Sequence, residues 1–315
     1  MKKIISVIIF CVIAVHFILA ANSLFVDKSL NRYYMLSREL EQYDNIDVQI
    51  YGSCHAYTSF DSLYFTQKTG ISSYNMSNPS EIIPATYLRM YERFKKDVPE
   101  VVFVETWGVN AYETYIEKEL IFEKYLPLNI EDIPFSTEKL SVINNYDSLD
   151  ILEDNFHIAK YKERLLEFSL TEADFDYSFE KAAEIYDPES ENWLYQEMDN
   201  RFTHNGFKSN PSTELLDYEE QQAQVSEEDS LKVESDLICY VEKIIQLCKD
   251  NDVHLIFYRA PYRSSENELK KANYLKDYFE EKEIEFDYKQ DFYDYEHLSD
   301  SGAKKCTDFL LNEIL

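Results

Sequence analysis

Apolar residues along this chain follow two periodicities, and their alternation outlines a fold. Short runs rich in β-branched and aromatic residues cover positions 46–51, 71–76, 101–105, 253–259 and 284–288, and each reads as a strand. The run at 101–105 is apolar until Glu105, the pattern of a strand buried on both faces of a parallel sheet. Between these runs apolar positions recur every three or four residues. This spacing predicts helices from Cys54 through residue 66, over 85–96, 226–250 and 265–282, and from 301 to the end of the chain. Strands alternating with helices imply βαβ units, and hence an α/β fold with a mostly parallel sheet covered on both faces.

Three segments stand outside that alternation. Lys2 and Lys3 precede an apolar run over 4–21 whose only strongly polar members are Ser6 and His16. About 18 such residues suffice to cross a hydrocarbon core, and the flanking lysines are expected to stay cytoplasmic. Residues 1–25 are therefore expected to form a signal anchor, a single transmembrane helix at the cell membrane that leaves the chain after Asn22 extracytoplasmic. Ile18 and Leu19 sit where signal cleavage prefers small residues, which favours an uncleaved anchor over a cleaved signal peptide. Residues 26–45 form a leading segment, with Leu30, Tyr33, Tyr34, Leu36, Leu40 and Tyr43 near one helical face. The main domain then spans 46–315. It is interrupted at about 112–225 by a largely helical insertion rich in Asp, Glu, Tyr and Asn, whose one glycine, Gly206, lies in a turn-rich stretch expected to be a mobile loop.

Composition narrows the partners. Sixty acidic residues against 31 basic ones give a formal charge of −29, which repels phosphate backbones and argues against nucleic acid. The five cysteines, at 11, 54, 239, 248 and 306, show neither CxxC pairs nor the spacing of a disulfide scaffold, so neither a zinc site nor any other cofactor is expected.

Cys54 is the cysteine with distinctive surroundings, since Gly52-Ser53-Cys54-His55 sits between a predicted buried strand and a helix. Such a turn lies at the carboxyl edge of a parallel sheet, where α/β folds bind ligands. Amides at a helix start stabilise a thiolate and can donate to an oxyanion, which makes the Cys54 amide a candidate donor. His297 is the best-placed base. With Asp294 three residues earlier, it lies between the last predicted strand and the last helix, on the same loop layer. Asp154 and His157 share that spacing but fall inside the insertion, so spacing alone decides little. Arg259, at the end of a central strand, and Trp107 are candidate pocket residues, beside Ser53 and His55. Each also has an ordinary structural reading, as an ion-pair partner or as packing.

The block from Gly52 to Asp61 resembles the first block of SGNH/GDSL hydrolases, in a variant with Gly-Ser-Ser-His, and Asp294-x-x-His297 resembles their closing block. The branch it is most similar to is that of membrane-anchored proteins of cell-surface O-acylation, such as those like the teichoic-acid D-alanylation protein. The likeness covers about 46–110 and 253–315. It implies an SGNH hydrolase-like α/β/α domain with Cys54 as nucleophile in place of the family serine, His297 as base and Asp294 as orienting acid. It also implies oxyanion donors after the second and third strands, where Asn75 and Asn110 are the nearest matches and no glycine follows the second strand. The expected activity is ester hydrolysis or O-acyl transfer on a cell-envelope glycan or other acylated polymer, alongside a membrane O-acyltransferase. Two other readings share the residues: a non-catalytic envelope protein that binds a glycan or a partner complex, and a cysteine peptidase or thiol redox protein.

Overall fold

The computed structural model describes residues 43–110, 125–146, 204–208, 235–261, 290–294 and 297–312, together with single positions between 6 and 17 and at 36, 40, 286 and 314. Among the described residues four strands form one sheet: β1 Val48–Tyr51, β2 Ser73–Asn75, β3 Val101–Glu105 and β4 His254–Tyr258. They run parallel in the order β2-β1-β3-β4, with Val48 in register with both Ser73 and Val101, and Val101 with His254. All four carboxyl ends therefore open on one edge, and the loops that leave them share one layer. The strand expected at 284–288 lies outside the described residues except for Phe286, whose ring meets Phe292 edge-on.

Alternation along the strands gives the sheet two covered faces. Val48, Ile50, Val101, Phe103 and Tyr258 point to one side, where they pack with α1 (Cys54–Ser59), α2 (Ser62–Thr69) and α8 (Asp300–Leu311) through Ala56, Phe60, Phe65, Cys306 and Leu310. Tyr51, Val102, Val104 and Phe257 point to the other. There they meet α3 (Ile83–Phe94) and α7 (Ser235–Asp250), with Leu88 and Met90 packing with Val241 and Ile244. The α/β class with a parallel sheet follows directly from this arrangement.

One helix expected from Cys54 through residue 66 is in fact two. Phe60 leaves the helical region at φ −117 and ψ 106, and Asp61 starts α2 by accepting from the Tyr64 N–H. The break is held from outside by Asn75, whose amide donates to the carbonyls of Ala56 and Phe60. Gly70, at φ 74, then ends α2 in the left-handed conformation that glycine adopts freely.

Parts of the insertion belong to the core. After the short α4 (Trp107–Asn110), α5 (Leu126–Glu131) and α6 (Thr137–Asn145) bury Leu126, Ile130, Val142 and Ile143 on the α3 side. A buried ion-pair network joins them to the sheet edge: Arg89 of α3 donates to Glu81 at 3.1 Å and to Asp132 at 2.9 Å. Of the turn-rich stretch, residues 204–208 dock against edge strand β2 rather than standing free. Asn205 donates to the Ser73 carbonyl, the Lys208 N–H donates to Tyr57 O at 2.8 Å, and a Cβ on Gly206 would lie 1.9 Å from Asn75 O.

Most of the expected anchor over 1–25 and of the leading segment lies outside the described residues, as does most of the insertion. Among the described residues no helix is long and apolar enough to cross a membrane. The described positions near the N-terminus are helical and include exposed Ile9, Phe10, Ile13 and Phe17, while Leu36 and Leu40 are buried in the core.

Candidate active site

The turn after β1 is shaped by glycine. Gly52 has φ 141, and a Cβ there would fall 2.7 Å from the Glu105 Cβ, so only glycine lets the chain pass this close to β3. Ser53 then caps α1, its hydroxyl oxygen accepting from the His55 N–H at 3.2 Å. Cys54 opens the helix as a half-buried free thiol.

The second loop is a tight hairpin ahead of α8. Phe292 and Leu298 pair antiparallel, the Tyr293 N–H donates to His297 O, and the Ser299 N–H donates to Asp291 O. The start of α8 closes down on this hairpin. Gly302 lies so near Asp291 O that a Cβ would be 2.1 Å away, and Lys305 pairs with the fully buried Asp291 carboxylate at 2.6 Å. Asp294 accepts from the His297 backbone N–H at 2.8 Å, and both its carboxylate oxygens stand 3.0 Å from His297 Nδ1.

These two loops meet. The His297 ring, with Nδ1 engaged by Asp294, also interacts with the Cys54 thiol. Burial alone would lower the affinity of this ring for its proton, but its interactions with Asp294 and Cys54 outweigh burial and raise its pKa to about 10. Cys54, His297 and Asp294 are thus brought together in the order sulfur, imidazole and carboxylate. Behind it the rings stack: His55 lies 5.4 Å from His297 on one side and 5.4 Å from Trp107 on the other, at interplanar angles of 25° and 29°. His55 is therefore a buried wall of the site, and Trp107 the layer behind it.

The other expected site residues divide. The Ser53 hydroxyl is committed to Glu105, donating to Oε2 at 3.0 Å. Asn75 is fully buried, with its amide on the Ala56 and Phe60 carbonyls and its oxygen accepting from the Ser77 N–H, so it is not turned toward the sulfur as an oxyanion donor. Asn110 ends α4 at the correct sheet edge, and its side chain is outside the described residues. Arg259 follows β4 at the same edge, half-buried.

Glu105, at the end of β3, is the strongest polar feature beneath the site. It is fully buried, and burial raises its carboxyl to about 7 even though Trp107 N–H, the Ser53 hydroxyl and the Ala260 and Ser53 N–H groups all donate to it. A signal was present: it is the one charged residue closing an apolar run. Compared with protein-family models, curated proteins and solved structures, the chain matches none of them.

Proposed function

We propose that the protein is an SGNH hydrolase-like ester hydrolase or O-acyltransferase that works through a Cys54 acyl-enzyme, anchored at the cell membrane by residues 1–25 with its catalytic domain outside. The observation that carries this reading is the meeting of Cys54 with the hydrogen-bonded His297–Asp294 pair, from loops at the two ends of the domain. In the reaction the proton rests on the His297 ring, whose pKa is raised to about 10, and Cys54 attacks the ester carbonyl as the thiolate partner of that imidazolium, forming the S–C bond. As the tetrahedral adduct collapses, the imidazolium gives that proton to the leaving alkoxide and a thioester remains. Water, or a hydroxyl of the accepting glycan, then yields its proton to His297, attacks the thioester and releases the thiolate. Asp294 holds the ring in orientation and stabilises the imidazolium in both halves. The Cys54 amide, at the start of α1, is the oxyanion donor this reading assigns. An acylated envelope polymer is the substrate class, with a membrane O-acyltransferase as donor-side partner.

The test is turnover of p-nitrophenyl acetate by the purified full chain, with mass spectrometry for acetyl-Cys54. Cys54→Ala and His297→Ala are expected to abolish the acetylated species, whereas Ser53→Ala retains it. Turnover that survives Cys54→Ala would sink the mechanism. The commitment of Asn75 to structure favours a second reading, a non-catalytic protein of the same fold that binds a glycan or partner. Absence of any acyl-enzyme, with glycan binding intact, would decide for it.

A further inference from the structure

Donors from three separate loops converge on one carboxylate under the candidate site. Glu105 Oε1 accepts from the Trp107 N–H at 2.9 Å and Oε2 from the Ser53 hydroxyl at 3.0 Å, and the backbone N–H dipoles of Ser53 and Ala260 also favour its charged form. Ser53 directly precedes the Cys54 sulfur on the β1–α1 turn. Ala260 leaves the end of β4. Trp107 begins α4, and its ring backs the His55 ring that stacks on His297. One buried group thereby fixes both the turn that carries the sulfur and the aromatic wall that sets the plane of the imidazole.

We propose that Glu105 is a positioning residue for the Cys54–His297 pair, acting through Ser53 on the sulfur and through Trp107 and His55 on the ring. The proposal rests on the acyl-enzyme reading of the site. All four partners of Glu105 bond it as donors, and a carboxylate is the side chain that only accepts, so the match is one of chemistry as well as shape. Glutamine keeps the size but turns one oxygen into an NH2 group that meets N–H or O–H donors head-on.

A double-mutant cycle separates positioning from mere support of the fold. The rate of Cys54 carboxamidomethylation by iodoacetamide at pH 7 is followed by peptide mass mapping in the wild type, Glu105→Gln, His297→Ala and the double variant. Misplacement of the pair predicts that Glu105→Gln slows alkylation about 10-fold in the wild-type background but less than about 2-fold once His297 is gone. Equal slowing in both backgrounds, or none, overturns the proposal while leaving the acyl-enzyme reading intact. Equal rates in wild type and His297→Ala mean that the imidazole does not activate the thiol, and then the acyl-enzyme reading itself falls. Circular dichroism checks that each variant is folded. Should Glu105→Gln not fold, Ser53→Ala removes one donor of the four, with about 3-fold slowing and the same dependence on His297 expected; slowing independent of His297, or none, refutes the role.

Discussion

Replacing Glu105 with glutamine should change how stability depends on pH, and the sign can be worked from the burial of the group. Burial holds its carboxyl at about 7 in the folded protein against an ordinary 4.5, because four dipolar donors do not replace the hydration that the charge loses. The folded state therefore binds a proton that the unfolded chain releases between those two values. Glu105 contributes most to stability below pH 4.5, and that contribution falls as pH rises through about 7. At about 1.4 kcal/mol per pH unit the loss amounts to roughly 3 kcal/mol. Tyr258 and Cys306, the titratable neighbours coupled to it, are themselves raised by burial, Tyr258 well above 10 and Cys306 to about 12, so neither ionises in this window. Urea unfolding of wild type and Glu105→Gln at half-unit steps from pH 4.5 to 8 measures the effect. Every other group is common to both, so the wild-type advantage over the variant should shrink by about 3 kcal/mol across the range and level off above neutrality. A flat difference, or one that grows with pH, would mean that the four donors outweigh burial and that the carboxylate is held ionised at no cost.

Two further outcomes follow from the site. His297, raised to about 10, contributes stability that is complete below its ordinary 6.5 and is lost as pH climbs through 10; an NMR titration of the ring should place its midpoint far above neutrality, and Asp294→Asn should bring the midpoint down, whereas an unmoved midpoint would deny the Asp294 contact. Asn75→Ala should cost about 2–5 kcal/mol by removing the bond to the Phe60 carbonyl, one of several to the Ala56 carbonyl and the acceptor of the Ser77 N–H, while Cys54 alkylation stays within about 3-fold of wild type; a stable variant with a loss of about 100-fold or more in ester turnover would return Asn75 to the oxyanion hole.

The parts of this fold that were legible are those in which one chain segment decides its own environment. Val101–Glu105 is buried along its whole length, and its composition says so without reference to the rest of the chain. The same holds for α3, where Pro84 at the first turn and the apolar stripe of Leu88 and Phe94 mark both the start and the buried face. What failed were positions whose roles come from partners far away in sequence. The helical periodicity runs on past Phe60, and only the Asn75 amide, arriving from β2, explains why the helix stops there. Read on its own, Asn75 is a polar residue at the carboxyl edge of the sheet; in the folded chain its hydrogen bonds are already taken.

The candidate site shows the same division, and it explains why spacing was a weak guide. Asp294 and His297 are local partners, so a three-residue spacing could suggest them, yet Asp154 and His157 carry that spacing too. What gives His297 its meaning is the Phe292–Leu298 hairpin, pressed onto the sheet edge by Gly302 and Lys305 at the start of α8 and delivering the ring to a sulfur 243 positions earlier. Glu105 is the extreme case. Nothing adjacent to it in sequence announces that Ser53, Trp107 and Ala260 will all donate to it, because that convergence exists only once β1, β3 and β4 lie side by side. A buried acid that costs stability near neutrality while joining the loops at the sulfur is better explained by the geometry it holds there than by the strength it adds to the fold.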